Sequence, residues 1–152
     1  MPATFTAILA GHITRQCGAP AMEATDGLTS EPGCVYVAPG NFHMTMDAAR
    51  TIRLNQDPPE NYCRPSVDPM LRSLAALYGA RVLAVILTGM GHDGLDGSRA
   101  VVNAGGAVFA QDEATSVVWG MPGAVAVAGL CSAVLPVAEI GPRLRRYALG
   151  KA

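Results

Sequence analysis

Charge is scarce in this sequence: Asp, Glu, Lys and Arg make up 15% of the 152 residues, and the net charge is −1. A nucleic-acid binder would carry a basic excess and a disordered tail a denser charge, so both classes are set aside and no electrostatic partner is implied. Metal and redox spacing is missing too. Cys17, Cys34, Cys63 and Cys131 stand far apart with no C-x-x-C pair, which excludes a zinc ribbon or a thioredoxin-like motif and leads us to expect buried, reduced thiols. No apolar run approaches the roughly 20 residues of a spanning helix; the best stretch, 124–135, is bracketed by Pro122 and Pro136. The first residues show neither the basic segment nor the apolar core of a signal peptide, so a soluble, cytoplasmic chain without membrane insertion is expected. Repeats, charge blocks and low-complexity segments are absent, and one domain without an internal linker is expected.

What is present is apolar matter in regular order: half of the residues are hydrophobic, enough for a core burying roughly two thirds of the surface of the unfolded chain. Short β-rich runs at 34–38 and 51–54, joined by a turn at Pro39, Gly40 and Asn41, predict an antiparallel excursion. Asp68 and Pro69 read as an N-cap followed by a proline at the first helical position. Met70, Leu71, Leu74, Leu77 and Tyr78 then recur on one face as far as Gly79, which predicts a helix. The continuous apolar run 82–87 has the composition of a strand buried on both faces. A glycine turn follows, then a helix over 97–104 stopped by Gly105 and Gly106, and a second strand over 107–110. That order is a parallel crossover unit. A short strand at 132–135 and a closing helix over 140–149 complete an α/β architecture, three-layered and doubly wound, with a mostly parallel sheet.

The turn itself, Gly89-Met90-Gly91-His92-Asp93-Gly94, spells a dinucleotide fingerprint and also displays one acid at a strand tip. A phosphate cradle has a physical case: glycines for the sharp turn and close backbone approach, and Asp112 and Glu113 past the next strand, where a ribose-binding carboxylate belongs. Two features oppose it. Asp93 stands where a phosphate must lie and would repel it, and the added Asp96-Gly97 lengthens the turn beyond a tight cradle.

The run LTGMGHDGLDG, followed by AGGAVFAQDEATSVVWGMPGAV, resembles the catalytic domain of the chemotaxis receptor methylesterase family, the CheB type. MPATFT at the start, VAPGNFHM at 37–44 and RPSVDPM at 64–70 resemble it as well, so the likeness spans nearly the whole chain. It implies a cytoplasmic serine hydrolase of doubly wound α/β fold that removes methyl groups from glutamate side chains of membrane chemoreceptors, releasing methanol. Members also deamidate particular glutamines. The partner implied is the methylated cytoplasmic domain of a chemoreceptor, with a receiver domain or a response regulator acting in trans as regulator; no cofactor or metal is implied. Within the Ser-His-Asp chemistry, Asp93 matches the family's aspartate, and Met90 matches the position whose backbone N–H helps to bind the oxyanion.

The sequence departs from that pattern in one respect. The family's nucleophile sits in a glycine-rich turn of the G-x-S-x-G-G kind after the first strand, and its histidine directly precedes the residues matching Met1-Pro2; neither lies in this chain. The expectation is a partial catalytic domain over 1–149, without a receiver domain, lacking two strands of the parallel sheet, inactive by itself and with a central strand left open. A non-catalytic binding module is the competing class. Substitutes within the chain are poor: His92 adjoins Asp93 and reads as a surface residue, His12 as a surface or packing residue, and His43 as a satisfied loop histidine or a cleft residue. Ser66 lacks glycine neighbours and reads as capping or cleft lining. Ser116 is expected to begin a helix near Trp119, Met121 and Pro122, which read as a substrate wall or ordinary packing. Asp112 and Glu113 fit solvated loop charges or rim contacts equally well, and Asp26 with Gly27 and Asp57 with the prolines after it read as turns.

Overall fold

The computed structural model describes residues 3–150. Helix α1 (Ala3–Cys17) leads into β1 (Ala21–Glu23), which pairs in parallel with β2 (Val35–Val37). Thr6 and Ala10 form its buried side, while Phe5, Ile8 and Leu9 stay exposed. A hairpin follows, β3 (His43–Met46) antiparallel to β4 (Ile52–Asn55). Its turn is closed by Asp47, whose carboxylate accepts from the N–H groups of Ala49 and Thr51 and from Arg53 Nε at 2.9, 3.0 and 2.9 Å.

This corrects the sequence expectation for the antiparallel excursion. The run at 34–38 supplies a parallel strand beside β1, and the partner of the 51–54 run is His43–Met46. The reason is local: the Asp47 side chain offers the backbone a tighter reversal than Pro39, Gly40 and Asn41, which only turn the chain from one sheet to the other.

Helix α2 (Val67–Tyr78) starts at Ser66, whose hydroxyl accepts from the Asp68 N–H at 3.3 Å, and ends at Gly79, φ 56°. The cap is thus Ser66 and not Asp68, which lies inside the first turn with its carboxylate turned towards a different helix. Pro69 remains harmless there because first-turn N–H groups have no partner within the helix. A single 3-10 turn (Gly79–Arg81) then delivers the chain to β5 (Leu83–Ile86). Helix α3 (Leu95–Asn103), β6 (Ala107–Gln111), α4 (Met121–Val127), β7 (Ala133–Leu135) and α5 (Val137–Ala148) complete a parallel sheet ordered β5-β6-β7.

The α/β, largely parallel architecture expected from the sequence is the one observed. Every residue of β6 is buried, as a central parallel strand requires. Val108 and Ala110 face one side, packing with Val101 of α3, Val125 of α4 and Leu71 of α2. Phe109 faces the other side, where its ring meets Tyr147 of α5 edge-on at 5.6 Å. Helices therefore cover both faces. Among the described strands, β1-β2 and β5-β6-β7 form separate sheets, and β5 has a partner on one side only. Leu83 and Val85 along it are half-buried, and Leu87 just beyond it is exposed.

Two further expectations are corrected. Ser116 lies in a turn, donating to the Asp112 carbonyl at 2.6 Å, and the helix begins at Met121 after the close-packed Gly120. The thiols are unpaired as expected but not buried: Cys17 and Cys63 are exposed, Cys34 and Cys131 half-buried. Cys17 ends α1 and Cys63 sits in a surface turn, both places where the backbone reaches solvent; burial pushes the Cys131 thiol up. Among the described residues no helix is long and apolar enough to cross a membrane, and no cluster of His, Cys, Asp and Glu could hold a metal.

Candidate active site

Beyond the end of β5, the turn at 88–94 is held open by neighbours. Gln111, buried at the end of β6, accepts from the Thr88 N–H at 2.9 Å and donates to the Thr115 carbonyl at 2.7 Å. Thr88 Oγ1 exchanges hydrogen bonds with the carbonyl and N–H of Val118, at 3.0 and 2.9 Å. Gly89 accepts from the Met121 N–H at 2.8 Å and donates to the Val118 carbonyl at 3.1 Å. Gly91 and Gly94 adopt left-handed φ of 83° and 93°, which a side chain would disfavour. Met90 is left at the tip, 86% exposed. Among the described residues nothing accepts a hydrogen bond from its backbone N–H.

Asp93 turns the opposite way and is 6% exposed. Its Oδ1 accepts from Ser66 Oγ at 2.6 Å and from Asn61 Nδ2 at 3.1 Å, and its Oδ2 accepts from the Val67 N–H at 2.9 Å. The carboxylate thus rests on the N-terminus of α2, where a negative charge is favoured. Asp68, equally buried, reaches from α2 to α3, its Oδ1 accepting from the Gly97 N–H at 2.7 Å. The Leu95 N–H is taken by the His92 carbonyl at 3.1 Å. Two amides at the mouth of α3, those of Leu95 and Gly97, are therefore occupied from within, and a second carboxylate fills the approach. The dinucleotide reading of the turn fails on those contacts.

Ser66, His43 and Asp93 lie together, yet their wiring is not that of a catalytic triad. The Ser66 hydroxyl donates directly to Asp93, so no base stands ready to take its proton. His43 is 1% exposed; its Nδ1 accepts from the Ser66 N–H at 3.2 Å, which places the hydrogen on Nε2, 3.2 Å from the Pro58 carbonyl. Both ring nitrogens are therefore satisfied, and the residue opens β3 instead of lying in a loop as expected. His92 and His12 are exposed. Asp112 is tied to its own turn by Thr115, and Trp119 packs inward, its Nε1 donating to the Gln111 carbonyl at 3.2 Å. Asn61, Asp68 as a clasp between helices, and Gln111 carry no sequence signal for these roles, since each has a partner 23 to 32 residues away.

The turn bearing Asn61 is clamped by Glu60, whose carboxylate receives both Arg72 Nη atoms, at 2.9 and 2.5 Å. The hydrogen bond from Arg72 holds the Glu60 carboxyl below its ordinary value of 4.5, against an opposing burial penalty. A depressed native pKa contributes stability above the ordinary value that is lost as pH falls through the native one. Both side chains are partly exposed, so the pair contributes less than about 1 kcal/mol. Glu60→Gln is expected to lower the urea midpoint slightly at pH 7, and the gap to the parent should close below pH 4.5. A gap as wide at pH 3 as at pH 7, on a scale of roughly 1 kcal/mol or less, would show that the carboxylate charge contributes nothing.

Comparison with known proteins identifies the family. The family model described as CheB methylesterase matches residues 1–144. The protein-glutamate methylesterase/protein-glutamine glutaminase of Azospirillum brasilense is 64% identical over 97% of this chain and 39% of its own length. Its counterpart of the group 2 operon in Rhodospirillum centenum is 61% identical over 100% of this chain and 39% of its own. The chain therefore spans about 39% of the length of these curated relatives. The crystal structure of the Thermotoga maritima CheB methylesterase catalytic domain superposes with a TM-score of 0.90 at 40% identity, over 95% of this chain and 78% of that one. With its fold and nearly its whole length matched, the chain belongs to the CheB methylesterase family.

Proposed function

We propose that these 152 residues provide the aspartate and part of the oxyanion site of a protein-glutamate methylesterase, as a partial catalytic domain over 1–149. The substrate is the glutamyl methyl ester of a chemoreceptor's cytoplasmic domain, and particular glutamines are deamidated by the same chemistry. A serine hydroxyl attacks the ester carbonyl while an imidazole takes its proton. The tetrahedral oxyanion leans on the Met90 N–H, methanol departs with the imidazole's proton, and water repeats the sequence to free the glutamate. Asp93 orients that imidazole and stabilises its charged form. The serine and the imidazole belong to the part of the relatives that this chain does not span, and the open side of β5 is where strands from that part complete the sheet. A receiver domain or a separate response regulator governs access in the cytoplasm.

One observation carries this reading: a buried aspartate, braced by three hydrogen bonds, shares one turn at the end of a parallel strand with a backbone N–H that has no acceptor among the described residues. The test compares two polypeptides on receptor methylated with labelled methyl groups. This chain alone should release no methanol, and its fusion to the part of the Azospirillum brasilense protein that it does not span should release it steadily. Turnover by the chain alone, or an inert but folded fusion, overturns the proposal.

A further inference from the structure

Asn61 and Tyr62 are consecutive residues with left-handed φ, 52° and 61°. Glu60 and Cys63 exchange backbone hydrogen bonds around them, at 3.2 and 2.8 Å, the pattern of a two-residue turn with both central residues left-handed. Asn tolerates that backbone and Tyr does not. The Tyr62 ring is fully exposed, so no packing of its own compensates the strain. Strain kept at one place over-determined by its surroundings points to a use.

The use is visible in the Asn61 side chain. Its Nδ2 lies 2.7 Å from Asp68 Oδ2 and 3.1 Å from Asp93 Oδ1. With acceptors on both sides, that atom must be the amide nitrogen, and both of its hydrogens are engaged. Two buried carboxylates, which repel each other, are thereby joined through a dipole that presents hydrogen to each. Oxygen Oδ1 of Asp93 also receives Ser66 Oγ, which fills its two acceptor positions. Among the described residues oxygen Oδ2 receives only the Val67 N–H, which leaves one position free. We infer that Asn61 is a positioning residue for the reaction: by saturating one carboxylate oxygen, it leaves a single place, on Oδ2, where an imidazole N–H can dock, and so sets that ring's tautomer and direction. The inference rests on the proposed function.

Asn61→Gly isolates the effect, because glycine keeps the left-handed backbone and removes only the amide; Asn61→Ala adds backbone strain. In the active fusion, Asn61→Gly is expected to lower kcat by about 10–100-fold, the scale of a misplaced catalytic contact. KM should stay within about twofold, since substrate binding is untouched, while Tm falls because two buried carboxylates lose their shared donor. A purely structural residue would lower Tm and spare kcat; unchanged kcat in Asn61→Gly overturns the inference. A second measurement needs no turnover. In this chain, the two Asn61 side-chain amide protons should be distinct and slow to exchange, with Asp93→Asn moving one and Asp68→Asn the other. If the fusion is inert, the proposed function falls while these signals still decide the placement. Freely exchanging protons, deaf to both substitutions, overturn it.

Discussion

Asp93→Asn, introduced into the active fusion, is expected to lower kcat by about four orders of magnitude while leaving KM nearly unchanged, the scale seen when a triad loses its acid. The amide is nearly the same size, but only its oxygen accepts. With that oxygen turned to Ser66 and Asn61, which donate to Oδ1 at present, the NH2 faces the Val67 N–H and the incoming imidazole N–H. Donor then meets donor, and the imidazole is driven to the wrong tautomer. Asp93→Ala should do something further in this chain alone. It strands the Val67 N–H and the Ser66 hydroxyl, which is 3% exposed, without an acceptor, at a cost of about 1–3 kcal/mol for each group left unsatisfied. Thermal unfolding of both variants, beside methanol release from the fused forms, separates the two effects. An Asp93→Asn fusion that keeps a tenth of parental kcat would remove Asp93 from the mechanism.

Gly120→Ala is expected to disable the same site from the opposite wall. Gly120 has φ −77°, ψ −71°, which alanine adopts freely, so its backbone is not at issue. Space is: a Cβ there would lie 2.8 Å from the carbonyl oxygens of Gly89 and Gly91 and 2.9 Å from the Gly91 nitrogen. All three are backbone atoms of the turn that presents the Met90 N–H, and a backbone cannot rotate away as a side chain does. The turn must move, breaking its bonds to Val118 and Met121 or carrying them with it. Overpacking of this kind costs about 1–3 kcal/mol, which in a chain of this size lowers Tm by roughly 2–4 °C per kcal/mol. Displacing an oxyanion donor should lower kcat of the fusion by about 100-fold or more. A Gly120→Ala protein with parental Tm and kcat would mean that this close contact does not govern the site.

The crossover from β5 to β6 was legible because its signals are local. An unbroken apolar run, a glycine turn and a helical stretch stopped by paired glycines each act within a few residues of themselves. The hairpin was misread because β3, His43–Met46, has no strong alternation and its turn is made by one side chain, Asp47, rather than by a glycine pair. Asp68 reads as a cap in sequence since Pro69 follows it, yet Ser66 has the hydroxyl in place and Asp68 serves the amide of Gly97, 29 residues on. Asn61 was invisible: its partner Asp93 is 32 residues away, and nothing in its neighbours marks a turn with two left-handed residues.

The amino-acid sequence alone determined the α/β class, the place of the glycine turn and the acid carried on it, since hydrophobic period and glycine placement act over short range and are written in order. Tertiary structure alone decided what that acid touches. Hydrogen bonds from Ser66, Val67 and Asn61 depend on bringing α2 and the 60–63 turn against the mouth of α3, and the closeness of Gly120 to Gly89 and Gly91 depends on two loops from different strands meeting. Those distances are set by the packing of whole elements on one another, and a linear order of residues holds no measure of them.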